Sequence, residues 1–168
     1  MREGVAIVLT ADRTMLADWP LLLDGMTGAA RTAAWPMGCV GWYVSPPVRS
    51  CGVRASQAPL GLRRVESALL QGGFAADDVA VVPPERLGEA IGPATRVVGL
   101  ASGDPLGLGM TSTTLSALFG GEPATSAAFR RLLRRVRELV ARAGGRAKVV
   151  VGGPGAWQLA ADGEPERL

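Results

Sequence analysis

Apolar residues fall along this chain in short unbroken runs, separated by longer segments whose apolar positions recur at helical spacing. "GVAIVLTA" at 4–11 opens the sequence, and "DVAVVPP" at 78–84, "TRVVGLAS" at 95–102 and "KVVVGG" at 148–153 follow it. Runs of this length without polar alternation predict strands buried on both faces, the pattern of a parallel sheet. In "APLGLRRVESALLQGGF" the residues Leu62, Val65, Ala68 and Leu69 share one helical face and Gly72-Gly73 supplies a stop, which predicts a helix over 60–71. "ERLGEAIG" reads as a short helix, and a further helix is expected near 112–118. A long one is expected over 125–143, where Leu132, Val136, Leu139 and Ala143 recur beneath an arginine-rich surface. The alternation predicts an α/β protein: a Rossmann-like three-layer fold with a mostly parallel sheet.

One interval breaks the alternation. Residues 14–57 carry Trp19, Trp35, Trp42 and Tyr43 among many prolines and glycines. They read as an irregular but packed insertion, with a short helix at 19–24 and a short strand at 41–45.

Composition narrows the class. At 168 residues, 48% hydrophobic and 20% charged, residues 1–168 make one domain able to bury a core. No apolar run approaches the roughly 18 residues of a membrane span, and Glu3 and Asp12 spoil a secretory leader, so a cytoplasmic location is expected. The net charge is +3, and Lys148 is the sole lysine, a bias that a GC-rich genome explains without a nucleic-acid partner. The basic cluster "RRLLRRVREL" is accordingly read as the solvated face of a helix, and nucleic acid is not expected. There is no histidine, which removes the usual general base and the usual zinc ligand together. Cys39 and Cys51 are too few for a four-thiolate zinc site or a three-thiolate cluster and are expected to be free thiols.

Right-handed crossovers bring the loops after Ala11, Ser102 and Val151 to the carboxyl edge of the sheet, where open parallel sheets bind ligands. Glycines in "KVVVGGPGAWQL" either let a backbone or a flat ligand approach the strand end or serve a plain turn. The usual nucleotide signatures are missing. "TADRTML" has no G-x-G-x-x-G, and "GDPLGLGMT" lacks the Gly-Lys-Ser/Thr of a P-loop.

Taken together these segments resemble the N-terminal cobalamin-binding domain of B12-dependent radical S-adenosylmethionine enzymes. "APLGLRRVESALLQGGF" is similar to the family's Pro-Pro-Leu-Gly-Leu helix, "VVGLAS" to its Val-Gly-Ile-Ser strand, and "VVVGGPGAW" to its Gly-Gly-Pro-His-Ala segment, with Gly155 where the family often has histidine. The resemblance implies that Gly152, Gly153 and Pro154 border the nucleotide tail of cobalamin. It also implies that Ser102 meets the dimethylbenzimidazole and that Leu60 and Gly61 approach the corrin. Asp12, Arg13, Arg63 and Arg64 are candidates for the corrin's lower side or its amides, and Gly103, Asp104 and Gly155 for the loops beside it.

Two departures qualify the likeness. The wider cobalamin-binding pattern Asp-x-His-x-x-Gly is represented only by "ADRTML", so cobalamin is expected without a protein imidazole ligand. The cluster motif C-x3-C-x2-C of the radical enzymes is absent, so this chain alone is expected not to be catalytic. The [4Fe-4S] cluster and S-adenosylmethionine then belong to a catalytic barrel expected beyond Leu168, and the sheet is expected to stop one strand short. The implied activity is methyl transfer. A nucleotide or nucleotide-sugar domain without cobalamin, or a noncatalytic interaction domain, is the alternative.

Overall fold

A computed structural model describes residues 3–18 and 45–161, with the backbone alone at positions 119 and 161. Trp19, Trp35, Trp42, Tyr43 and Cys39, the helix expected at 19–24 and most of the strand expected at 41–45 lie outside the described residues.

The predicted strands form one sheet. Strands β1 (Ile7–Ala11), β4 (Val79–Val81), β5 (Val97–Ala101) and β6 (Lys148–Gly152) pair in the order β4-β1-β5-β6, all parallel. Two short strands, β2 (Ser50–Cys51) and β3 (Arg54–Ala55), form a separate antiparallel hairpin. The helices are α1 (Leu60–Gln71), α2 (Leu87–Ala90), which follows a 3-10 turn at Pro84–Arg86, α3 (Met110–Phe119), α4 (Ala124–Arg142) and α5 (Ala156–Ala161). The expected α1 matches residue for residue. The chain is thus a Rossmann-like three-layer α/β fold.

Alternation along each strand divides the core in two. Ile7, Leu9, Ala11, Val79 and Val81 face α1, which contributes Leu62, and Leu16, Val48 and Ala55 close that layer. Val8, Ala80, Val98 and Leu100 face the other way, onto Leu87 and Ala90 of α2 and Phe129, Leu132, Leu133 and Val136 of α4. Strands buried on both faces explain why the sequence shows continuous apolar runs. The layer on the α1 side does not extend over β6. Val150, aligned with Gly99 of β5, is 54% exposed there.

Strand order places the site. The chain passes from β1 to β4 on one side and then to β5 on the other, so the direction of winding reverses between β1 and β5. Diverging crossovers leave a crevice at such a switch point, outside the carboxyl ends of the strands.

Candidate functional site

Asp12 and Ser102 are the first residues past β1 and β5, whose ends are aligned through Ala11 and Ala101. Both are fully buried. Asp12 ends its strand in a tight turn: Oδ1 accepts the Thr14 amide at 3.0 Å and the Thr14 hydroxyl at 2.5 Å, while its carbonyl accepts the amides of Met15 and Leu16. Asp12 Oδ2 and Ser102 Oγ lie beside each other without a directed hydrogen bond, and neither has a partner among the described residues. Thr10, on the same strand face as Asp12 and also fully buried, has no partner for its Oγ1 among the described residues. These buried oxygens are hydrogen-bonding capacity that the described residues leave unused just beneath the switch point.

Burial raises the Asp12 pKa above its ordinary 3.8, against smaller lowering contributions from Thr14, Ser102 and the amides of Thr14 and Met15. The folded protein therefore holds this proton more tightly than the unfolded chain. Asp12 supports the fold fully below pH 3.8, and that support is lost as pH rises through the raised native value. Asp12→Asn keeps an oxygen for Thr14 and cannot ionise. It is expected to be more stable than the parent at pH 8, with the gap closing as pH falls towards 4. Urea unfolding of both proteins across that pH range measures the difference, in which the other carboxylates cancel.

The glycines of the β6 loop have an internal explanation. The loops 102–105 and 152–155 run backbone against backbone: Ser102 donates to the Gly152 carbonyl at 3.2 Å and Gly155 donates to the Ser102 carbonyl at 3.0 Å. Gly153 has φ +94°, and a Cβ there would stand 2.9 Å from Ser102 O and 3.0 Å from Ser102 N. A Cβ on Gly155 would meet Pro105 Cδ at 2.4 Å and Gly103 O at 2.7 Å, so the histidine that the resembled pattern often has here does not fit. Gly152 differs. Its Cβ would meet nothing within 4 Å. Of the glycines at this strand end, Gly152 alone keeps a side chain out of open space.

The remaining expected residues divide between internal work and exposure. Asp104 Oδ1 accepts the Gly109 amide at 3.0 Å and Gln158 Nε2 at 2.6 Å, and Gln158 Oε1 accepts the Leu106 amide at 2.9 Å. This clamp ties the β5 loop to α5. Arg13 pairs with Glu85, joining the loops after β1 and β4, and Arg63 binds Glu66 and the Ala55 carbonyl, both at 2.7 Å. Arg64, Leu60, Gly61, Gly103 and Pro154 are not buried. Leu60 is 68% exposed at the start of α1, Met110 84% at the start of α3 and Trp157 56% at the start of α5, which gives the carboxyl edge an apolar rim. A cleft of about 200 Å³ lies between the loop after β1 and the approach to α1, lined by Met15, Leu16, Val48, Gln57 and Pro59 among others.

Thr10, Thr14 and Gln158 escaped the sequence reading. Thr14 carries a signal in retrospect, since Asp-x-Thr after a strand favours this turn. Thr10 was one polar residue in an apolar run, and Gln158 finds its partners 52 and 54 residues away. Among the described residues no group of three or more His, Cys, Asp or Glu is placed to hold a metal, and no helix is long and apolar enough to cross a membrane. Compared with models of protein families, with curated proteins and with solved structures, the chain matches none.

Proposed function

We propose that this chain is a cobalamin-binding module serving a B12-dependent radical S-adenosylmethionine enzyme, with methyl transfer as its reaction. The observation that carries the reading is the unsatisfied pair Asp12 Oδ2 and Ser102 Oγ at the switch point of the sheet. The choice of cobalamin over another ligand rests on the sequence resemblance.

The residues present fit such a group in three places. Asp12 and Ser102 hold unused hydrogen-bonding capacity beneath the strand ends, which a polar edge would reach by displacing the loops that cover it, Gly152 leaves open space beside the strand end, and Leu60, Met110 and Trp157 offer an apolar rim. Gly153 and Gly155 do not add to this fit, because the neighbouring loop already fills their space. Where the wider pattern has histidine two residues after aspartate, Thr14 holds Asp12 instead of reaching outward. In this reading the cobalt has no imidazole from the protein.

Cobalamin, when bound, supplies a transferable methyl group; the chain's own residues bind and orient it. Ser102 and Asp12 would hold a polar edge of it, and the clamp through Asp104 and Gln158 ties the β5 loop to α5. The S-adenosylmethionine and iron-sulfur chemistry belongs to a partner catalytic domain, since two cysteines do not make a three-cysteine motif.

Incubation with hydroxocobalamin followed by gel filtration tests the proposal. Retained corrin, with a visible spectrum lacking a lower nitrogen ligand, is the expected result, together with thermal stabilisation. At a free concentration a hundredfold above Kd that stabilisation is about 2.7 kcal/mol. A folded chain that emerges colourless and is stabilised by a nucleotide overturns the proposal in favour of a nucleotide-binding domain.

A further inference from the structure

The net charge of +3 conceals an asymmetry that the fold turns into a surface. Between Ala124 and Lys148 there are seven arginines and one lysine against a single glutamate, a net of +7, so the rest of the chain carries −4. Phe129, Leu132, Leu133, Val136, Leu139 and Val140 turn one side of α4 into the core, and the opposite side carries the arginines. Arg131, Arg134 and Arg142 are exposed and have no ion pair among the described residues, and Arg146 continues the series just past the helix. Arg130 is held by Glu122, and Arg135 lies 4.0 Å from Glu138.

Helical geometry turns this into a length. Arg131 and Arg142 are eleven residues apart and so about 17 Å apart along the axis. A duplex presents one phosphate per about 3.4 Å on each strand, so that span faces about five phosphates.

We propose that the exposed face of α4 binds the phosphate backbone of duplex nucleic acid without reading sequence. Three features favour this partner. Guanidinium groups bind phosphate in a bidentate fork. The face has no exposed apolar or aromatic anchor between Arg130 and Arg142, which a protein interface needs at its centre and a phosphate surface does not. Stacking on single-stranded bases also needs aromatic side chains, and none is there. The apolar side of α4 is committed to the core, so the helix has nothing to insert into a lipid surface. This surface is separate from the switch-point crevice and does not rest on the cobalamin reading. It departs from the expectation of a merely solvated basic face, because the sequence could not show which of these arginines are left without an ion pair.

The test is fluorescence anisotropy with labelled 20-base-pair duplexes of arbitrary sequence, DNA and RNA, titrated with the full chain from 50 to 200 mM salt. Binding at micromolar concentration at 50 mM salt is expected for at least one duplex, weakening steeply with salt. Arg131→Gln/Arg134→Gln/Arg142→Gln, checked for folding by circular dichroism, is expected to weaken binding at least tenfold. It should also flatten the slope of log K against log salt by about 3. Arg49→Gln, an exposed arginine elsewhere, should change neither quantity. Three results overturn the proposal: no binding at 50 mM salt, undiminished binding by the triple variant, or competition by poly-glutamate as effective as by unlabelled duplex. The last assigns the face to an acidic protein surface.

Discussion

Gly153→Leu is expected to cost about 3 kcal/mol or more of folding stability, and Gly152→Leu almost none. The first forces a branched side chain onto φ +94° and drives its Cβ to 2.9 Å and 3.0 Å from the backbone of Ser102. Strain of that kind costs about 1–3 kcal/mol from the dihedral alone, and the backbone it strikes is hydrogen-bonded on both sides. Gly152→Leu points into open space, so its thermal midpoint should stay near that of the parent. Cofactor retention then separates two meanings of adjacent glycines. Loss of corrin from folded Gly152→Leu is the expected outcome. Undiminished retention removes Gly152 from the tail groove, whereas loss in Gly153→Leu reports on the fold and not on a ligand contact.

Phe129→Ala is the second large effect, expected to cost about 3–5 kcal/mol. The ring is fully buried in the core cluster that β1, β4, β5, α2 and α4 build together. Against a total stability of about 5–15 kcal/mol for a domain of ordinary size, that loss brings the protein close to unfolding at 37 °C. Urea denaturation measures it. Leu118→Ala, at a side chain 69% exposed on α3, serves as the comparison and should stay within about 0.5 kcal/mol of the parent. A small effect at Phe129 paired with a large one at Leu118 contradicts the assignment of the core.

The elements of the fold were legible because each rests on local chemistry. The apolar run at 95–102 contains the strand Val97–Ala101, and Gly72 stops α1 at Gln71 as expected. The candidate site was legible in part. Asp12 follows the first apolar run and Ser102 ends the third, and position alone marked them for the carboxyl edge. Sequence offered no means of telling Gly152 from Gly153, because the difference is the presence or absence of a neighbouring backbone within 3 Å of an imagined Cβ. Nor did it distinguish an arginine awaiting a ligand from one engaged by Glu85, 72 residues away, or by the carbonyl of Ala55 in the separate hairpin. Periodicity placed the arginines of α4 on an outer face, but the case for a binding surface needed the tally of ion pairs around them.

By itself, then, the sequence determined the α/β alternation, the parallel character of the strands, the ends of α1 and the absence of imidazole chemistry. These follow from residue type and spacing, which act over a few positions. Strand order, the switch point between β1 and β5, the unsatisfied Asp12–Ser102 pair and the loop-against-loop packing at Gly153 and Gly155 were decided only by tertiary structure. Four equally apolar strands carry no mark of which neighbour each will take. A buried oxygen becomes unsatisfied only when every group that packs around it has arrived.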